Sequence, residues 1–175
     1  MLPTHDLDVS RKQIGFLSRK FDPDRIAAIK QQCGPSIFIT CGKSADLNNI
    51  QIDNWNGTIF TTSGIDITAT GKANVVQLPI ETFDTHNYLA ASDLIIAKAG
   101  WGTISEALLS KRNLVLIERE GVLEDTENIE ELKRRGVAVS IKETDLARID
   151  MHAITDLIAE NIIRKNLDAY HNNLH

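Results

Sequence analysis

The sequence predicts an α/β fold, a Rossmann-like doubly wound parallel sheet, from three observations. Short apolar runs alternate with helical patterns along the chain. Most of those runs are continuous rather than alternating, as strands buried on both faces of a parallel sheet are. Proline and glycine mark the junctions, with Pro23 opening one helical pattern and Gly34 and Gly136 closing two.

In chain order, IGFLS (14–18) reads as the first strand. Asp22-Pro23 then opens a helix that Gly34 stops, and SIFITC (36–41) is the next strand. Residues 43–57 are ambiguous, because Leu47 and Ile50 alone do not define a helix. TIFTTS (58–63) and VVQLPI (75–80) read as strands, THNYLAAS as a helix, and LIIAK (94–98) as a strand. GTISEALLSK is helical, and LVLIE (114–118) is again a strand. TENIEELKRRG has acids at its start and Lys133, Arg134 and Arg135 before Gly136, matching the helix dipole and a glycine stop. VAVSI (137–141) is the last strand. Residues 152–170 read as one long helix with Ile154, Leu157, Ile158, Ile162 and Leu167 on one face.

A chain of 175 residues suits a single domain, and 42% hydrophobic residues suffice for a core. The net charge of −5, with no lysine-arginine block, argues against a nucleic-acid partner. Cys33 and Cys41 lack the further ligands of a metal set and read as reduced thiols of a cytoplasmic protein. The opening MLPTHDLDVSRKQ has no apolar signal region, and no apolar run approaches the ~18 residues of a membrane span. There is no HExxH motif, and the 5 histidines are scattered, so no metal is expected.

The stretch AKAGWGTISEA (97–107) carries the chemistry. It places Gly100 and Gly102 where an apolar strand becomes a helix, the point at which α/β sheets bind ligands. Glycine lets backbone approach a ligand closely and permits positive φ. Amides near Gly102 and Thr103, reinforced by the helix dipole, make a seat for a phosphate or diphosphate. Glu106 lies one turn further, within reach of a ribose hydroxyl. A ligand-free tight turn with a dipole-favoured acid is the plainer alternative.

Two phosphate motifs are testable at this stage. Gly42-Lys43-Ser44 suggests a Walker loop, but Ile37 occupies the position of its first glycine. Gly100 to Ser105 reads G-x-G-x-x-S, one residue short of the dinucleotide fingerprint, and Glu118 and Glu120 close the next strand where a ribose acid belongs. That turn follows the fifth candidate strand rather than the first, and Trp101 crowds it. An NAD-dependent Rossmann enzyme is therefore the second reading.

The segments ASDLIIAKAGWGTISEALLSKRNLVLI and NIEELKRRGVAVSI resemble the C-terminal, donor-binding half of MurG-like family 28 glycosyltransferases. The pattern is carried by Ala91-Ser92-Asp93, Ala99-Gly100, Thr103, Glu106, Asn128 and Gly136, and the match covers about residues 75 to 145. GWGTISEALLSK is also similar to the glycosyltransferase-like domain of plant arabinose kinases. The resemblance implies the C-terminal half of a GT-B fold and transfer of a hexose or N-acetylhexosamine from a UDP-sugar to an acceptor hydroxyl, without metal or other cofactor.

By the same resemblance, backbone at Pro79 and Ile80 meets the uracil, and Ala99, Gly100, Trp101, Gly102 and Thr103 hold the diphosphate. Glu106 binds the ribose, and a loop from Glu124 through Asp125 to Asn128 faces the sugar. Gly42, Lys43 and Ser44 stand in reduced form where the family has a glycine-rich loop. Glu124-Asp125 replaces glutamines, so the sugar is open. The general base belongs to an N-terminal acceptor-binding half, so no catalytic residue is assigned here. Residues 1–21 are then expected to be the linker and first strand from that half, the alternative being a separate subunit that completes the chain, and the isolated chain is expected to be inactive. Membrane contact is expected only through the acceptor or partner. A non-catalytic nucleotide-sugar-binding module and a UDP-sugar epimerase or hydrolase are further alternatives.

Overall fold

The computed structural model describes residues 16–41 and 47–170. The chain runs through α1 (Pro23–Cys33), β1 (Ser36–Thr40), β2 (Leu47–Asp53), β3 (Thr58–Thr61), β4 (Ile65–Ala69), β5 (Asn74–Gln77), α2 (Thr85–Ala91) and β6 (Leu94–Lys98). It continues with α3 (Trp101–Leu109), β7 (Asn113–Glu118), α4 (Leu123–Arg134), β8 (Val139–Lys142), a 3-10 turn (Glu143–Ala147), β9 (Ile149–Asp150), α5 (Met151–Asn161) and α6 (Arg164–Leu167).

The main sheet has the order β5-β3-β1-β6-β7-β8 with every pair parallel. The chain builds outward from β1 to β5, then returns to pair β6 on the other side of β1. This is the Rossmann strand order, with its reversal between β1 and β6.

Side-chain alternation gives the sheet two apolar faces. Phe38, Phe60, Ile95, Ala97, Leu114 and Leu116 pack beneath Ile29 of α1, Leu89 of α2, Ile104 and Leu108 of α3, and Ile129 and Leu132 of α4. On the other face, Ile37, Ile39, Ile59, Ile96, Val115 and Ile117 meet Ile50 and Ile52 of β2, Ile149 and Ile154. That second face is covered by α5 and by a small parallel sheet of order β4-β2-β9. The chain between β1 and β3, and between β3 and β5, therefore crosses over through strands of a second sheet. The ambiguous stretch 43–57 resolves into β2 over its described part, where Ile50 and Ile52 alternate with polar residues.

α1 forms as its ends dictate. Asp22 accepts from the amides of Asp24 and Arg25, Pro23 stands at the first position, and Gly34 closes the helix at φ 61°. Two expectations are corrected. Residues 16–18 of IGFLS form no strand. Phe16 instead packs its ring on Trp101 and Tyr170, with centroids 5.8 and 5.3 Å away. The long terminal helix breaks at Ile162, whose ψ of 119° ends α5. Consecutive β-branched isoleucines weaken the helix there, and the amide of Ile163 donates instead to the Gly136 carbonyl at 2.8 Å.

The second sheet is tied by Asp53. Its buried carboxylate accepts from Gln51 Nε2 at 3.0 Å, Thr70 Oγ1 at 2.8 Å and Arg148 Nε at 2.6 Å, joining β2, the end of β4 and the entry to β9. Hydrogen bonds from Gln51, Arg148 and Thr70 hold its pKa at about 2, below the ordinary 3.8. A depressed folded pKa stabilises the native state above the unfolded value and loses that contribution as pH falls through the folded one. Melting curves of wild type and Asp53→Asn are thus predicted to differ at about pH 6 and to converge as pH drops from about 4 to about 2. A difference that stays constant across that range would assign the acid sensitivity elsewhere.

Candidate functional site

The strand reversal places the carboxyl ends of β1 and β6 side by side, with Thr40 opposite Ala97. In open α/β sheets such a reversal of strand order is the place where ligands bind. β6 ends at Lys98, Ala99 is buried, and Gly100 is the N-cap of α3 with φ −78° and ψ 131°. The Gly100 amide donates to the Lys98 carbonyl at 2.8 Å, and its own carbonyl accepts from Ile104 at 3.0 Å. No side chain caps this helix. The amides of Trp101, Gly102 and Thr103 are therefore first-turn donors with no acceptor inside the helix, at its positive end. Of the residues expected to hold the diphosphate, Gly100 has its amide committed to the Lys98 carbonyl.

The two glycines are not explained by backbone strain. Neither occupies positive φ, contrary to one of the reasons expected for them. A Cβ built on Gly100 or Gly102 meets nothing within 4 Å. Among the described residues, neither conformation nor packing demands glycine at either position.

Glu106 lies on the same helix, its side chain 14% exposed, and pairs with Arg19. Arg19 Nε donates to Glu106 Oε1 at 3.0 Å, and Nη2 lies 2.9 Å from the same oxygen. Nη1 donates to the Phe83 carbonyl at 2.8 Å and Nη2 to Thr85 Oγ1 at 3.1 Å. The guanidinium thereby joins the segment before α1 to α3, to the loop after β5 and to the start of α2. Pro79 and Ile80 lie in that loop and are exposed, Ile80 to 75%. Arg19 was not legible as a site residue, since it stands 87 positions from Glu106 and in no recognisable motif.

Glu124, Asp125 and Asn128 fall within α4 rather than in a loop, and the three have different environments. Glu124 is exposed. Asp125 is buried and pairs with Arg119 at 2.6 Å, which raises the arginine pKa above its usual value. Asn128 is buried and its Nδ2 lies 3.4 Å from the Ala99 carbonyl, supporting the glycine turn from beneath. Trp101, 37% exposed, stands at the mouth of the turn against Phe16. Gly42, Lys43 and Ser44 lie outside the described residues.

A cavity of about 570 Å³ opens beyond the ends of β7 and β8, lined among others by Glu118, Arg119, Glu120, Asp125, Lys142 and Glu143. Carboxylates dominate it, so it is a poor seat for a diphosphate, and the uncapped end of α3 is the better one. Glu118, the candidate dinucleotide acid, is occupied by Ser140 Oγ at 2.5 Å. Among the described residues, no group of His, Cys, Asp and Glu could hold a metal ion, and no helix is long and apolar enough to cross a membrane.

The glycosyltransferase family 28 C-terminal domain model matches residues 24–169. The chain belongs to that family. No curated protein sequence matches it. Among solved structures, it is similar to the glycosyltransferase SnogD from Streptomyces nogalater, with 17% identity over 76% of this chain and 37% of that one, at a TM-score of 0.54. It is also similar to MurG from Acinetobacter baumannii, with 16% identity over 98% of this chain and 55% of that one, at a TM-score of 0.51. Arabidopsis thaliana UGT89C1, solved in complex with UDP, shares 14% identity over 85% of this chain and 41% of its own, at a TM-score of 0.50. These likenesses show the fold, the Rossmann-like half that GT-B glycosyltransferases contain. The match spans 37% of the length of SnogD and 55% of that of MurG.

The glycine geometry generates a sharp expectation. Gly102→Ala fills open space on a helix with ordinary φ, so it is expected to leave stability unchanged or raise it by up to about 1 kcal/mol. The same methyl projects at the first turn of α3, so affinity for a nucleotide whose phosphates rest there is expected to fall. Thermal melting and calorimetry on one sample check both halves. Unchanged affinity would make Gly102 an ordinary turn residue.

Proposed function

We propose that this domain binds the donor of a glycosyltransferase, a UDP-sugar, with its diphosphate on the first turn of α3. The observation that carries the reading is the α3 N-terminus at the sheet's topological switch, which has no side-chain cap and opens on two glycines against which no described residue packs. Anion binding at a helix N-terminus needs only such free amides and the aligned dipole. Glu106, one turn along, supplies a carboxylate for the ribose hydroxyls, and the loop holding Pro79 and Ile80 supplies backbone for the base. The family membership supports the same chemistry.

In the transfer reaction the bond between the anomeric carbon and the diphosphate oxygen breaks as the acceptor oxygen bonds to that carbon. Negative charge accumulates on the departing diphosphate. The amides of Trp101, Gly102 and Thr103 face that charge, and their orientation is already fixed by the helix before reaction. The proton leaving the acceptor hydroxyl goes to a general base. We place that base, and the acceptor site, in an N-terminal half or a separate subunit, with the sugar a hexose or N-acetylhexosamine. A positioned base contributes roughly 10²–10⁴-fold, so the chain alone is expected to bind donor without transferring it.

UDP and UDP-sugars are expected to stabilise the chain where NAD and ATP do not. At ten times Kd the gain is about 1.4 kcal/mol. In a domain of this size that moves the melting temperature by roughly 3–6 °C. A shift with NAD and none at millimolar UDP would return the glycine turn to the dinucleotide reading. A labelled UDP-sugar assay with lipid and sugar acceptors checks the second half, and turnover by the chain alone would place the base within this domain.

A further inference from the structure

We infer that Arg19 is a positioning residue for nucleotide recognition: it acts through Glu106, fixing the carboxylate that meets the ribose. This rests on the donor-site reading above. Three observations carry it. First, both guanidinium nitrogens that reach Glu106 converge on Oε1, so Oε2 keeps its lone pairs for a ligand hydroxyl. A glutamate side chain has three rotatable bonds, and an anchor on one oxygen removes most of that freedom before ligand arrives.

Second, two of the remaining guanidinium hydrogens go to acceptors on the chain. The Phe83 carbonyl and Thr85 Oγ1 hold the planar fork in one orientation. Third, the backbone carrying Arg19 is itself pinned on both sides. His86 Nε2 lies 3.0 Å from the Lys20 carbonyl, and the Asp22 amide donates to Asn87 Oδ1 at 2.9 Å. His86 and Asn87 are buried on α2, and Phe16 is held against Trp101. The arginine thus transmits a rigid frame to one carboxylate oxygen, and the same fork sets the loop after β5 at a fixed distance from the ribose acid.

Arg19 is 48% exposed along its side chain, so its removal leaves the core untouched. The test is calorimetric titration of wild type, Arg19→Met, Glu106→Gln and the double variant with UDP and with 2′,3′-dideoxy-UDP, which lacks the hydroxyls. Arg19→Met is expected to weaken UDP about three- to tenfold, to leave dideoxy-UDP unchanged, and to add little once Glu106 is already Gln. Arg19→Lys keeps the charge but cannot span three acceptors, and is expected to recover only part of the loss.

Equal losses for both nucleotides, persisting in the Glu106→Gln background, would mean that Arg19 touches the phosphates itself and would overturn the positioning role. No loss on Arg19→Met beside a clear loss on Glu106→Gln would overturn it too, while leaving the donor site intact. If wild type binds both nucleotides equally, Glu106 has no ribose contact and the inference falls with it. Absence of UDP binding altogether would instead remove the donor-site reading on which it stands.

Discussion

Pairing between β1 and β6 is the constraint on which the rest of the structure depends. These two strands are neighbours in the sheet but separated in sequence by two outward crossovers, and their registration sets Thr40 opposite Ala97. The chain reverses its direction of growth there, the point at which open α/β sheets bind ligands. Both strands are buried on both faces, with Phe38 and Ile95 toward the helices and Ile37 and Ile96 toward the second sheet. The reversal is thus anchored among buried residues, and the turn into α3 is supported at Ala99 by the Asn128 amide.

The electrostatic organisation follows from the same point. A helix that begins without a side-chain cap keeps unsatisfied donors, a cost that most helices avoid with Ser, Thr, Asp or Asn. α1 and α5 do avoid it, through Asp22 and Asp150. α3, like α2, α4 and α6, has no side-chain cap, and its opening residues are a glycine, an exposed tryptophan and a second glycine. A few residues on, Arg19 brings a cation to Glu106 and holds that carboxylate beside the uncapped turn without covering the turn itself. The acidic cavity past β7 and β8 has the opposite character, and Arg119 within it is already paired with Asp125.

Much of the fold was legible because parallel strands buried on both faces leave uninterrupted apolar runs, as SIFIT, LIIAK and NLVLIE do. Helix ends were legible where capping chemistry is local, as at Asp22-Pro23 and Gly34. The second sheet was not, although Ile50 with Ile52 and Ile65 with Ile67 carry the two-residue period of β2 and β4. Its last strand is only Ile149–Asp150, and its stabilising contacts, Asp53 with Thr70 and Arg148, join distant residues. IGFLS has a strand's composition, but its phenylalanine is taken up by ring packing. In the site, the glycine turn and Glu106 were visible as a motif, whereas Arg19 became visible only when the fold brought it to α3. Asn128 shows the converse: its place in the pattern was visible, its burial under Ala99 was not.

The most direct test of the diphosphate seat is a titration of ¹⁵N-labelled protein with UDP, followed amide by amide in ¹H–¹⁵N spectra. If the anion rests on α3, the Trp101, Gly102 and Thr103 amides take new charged acceptors, and their resonances are predicted to move furthest and in proportion to saturation. Shifts confined to Glu118–Asp125 and Lys142–Thr144, with the first turn of α3 unmoved, would place the nucleotide in the cavity past β7 and β8 and contradict the seat.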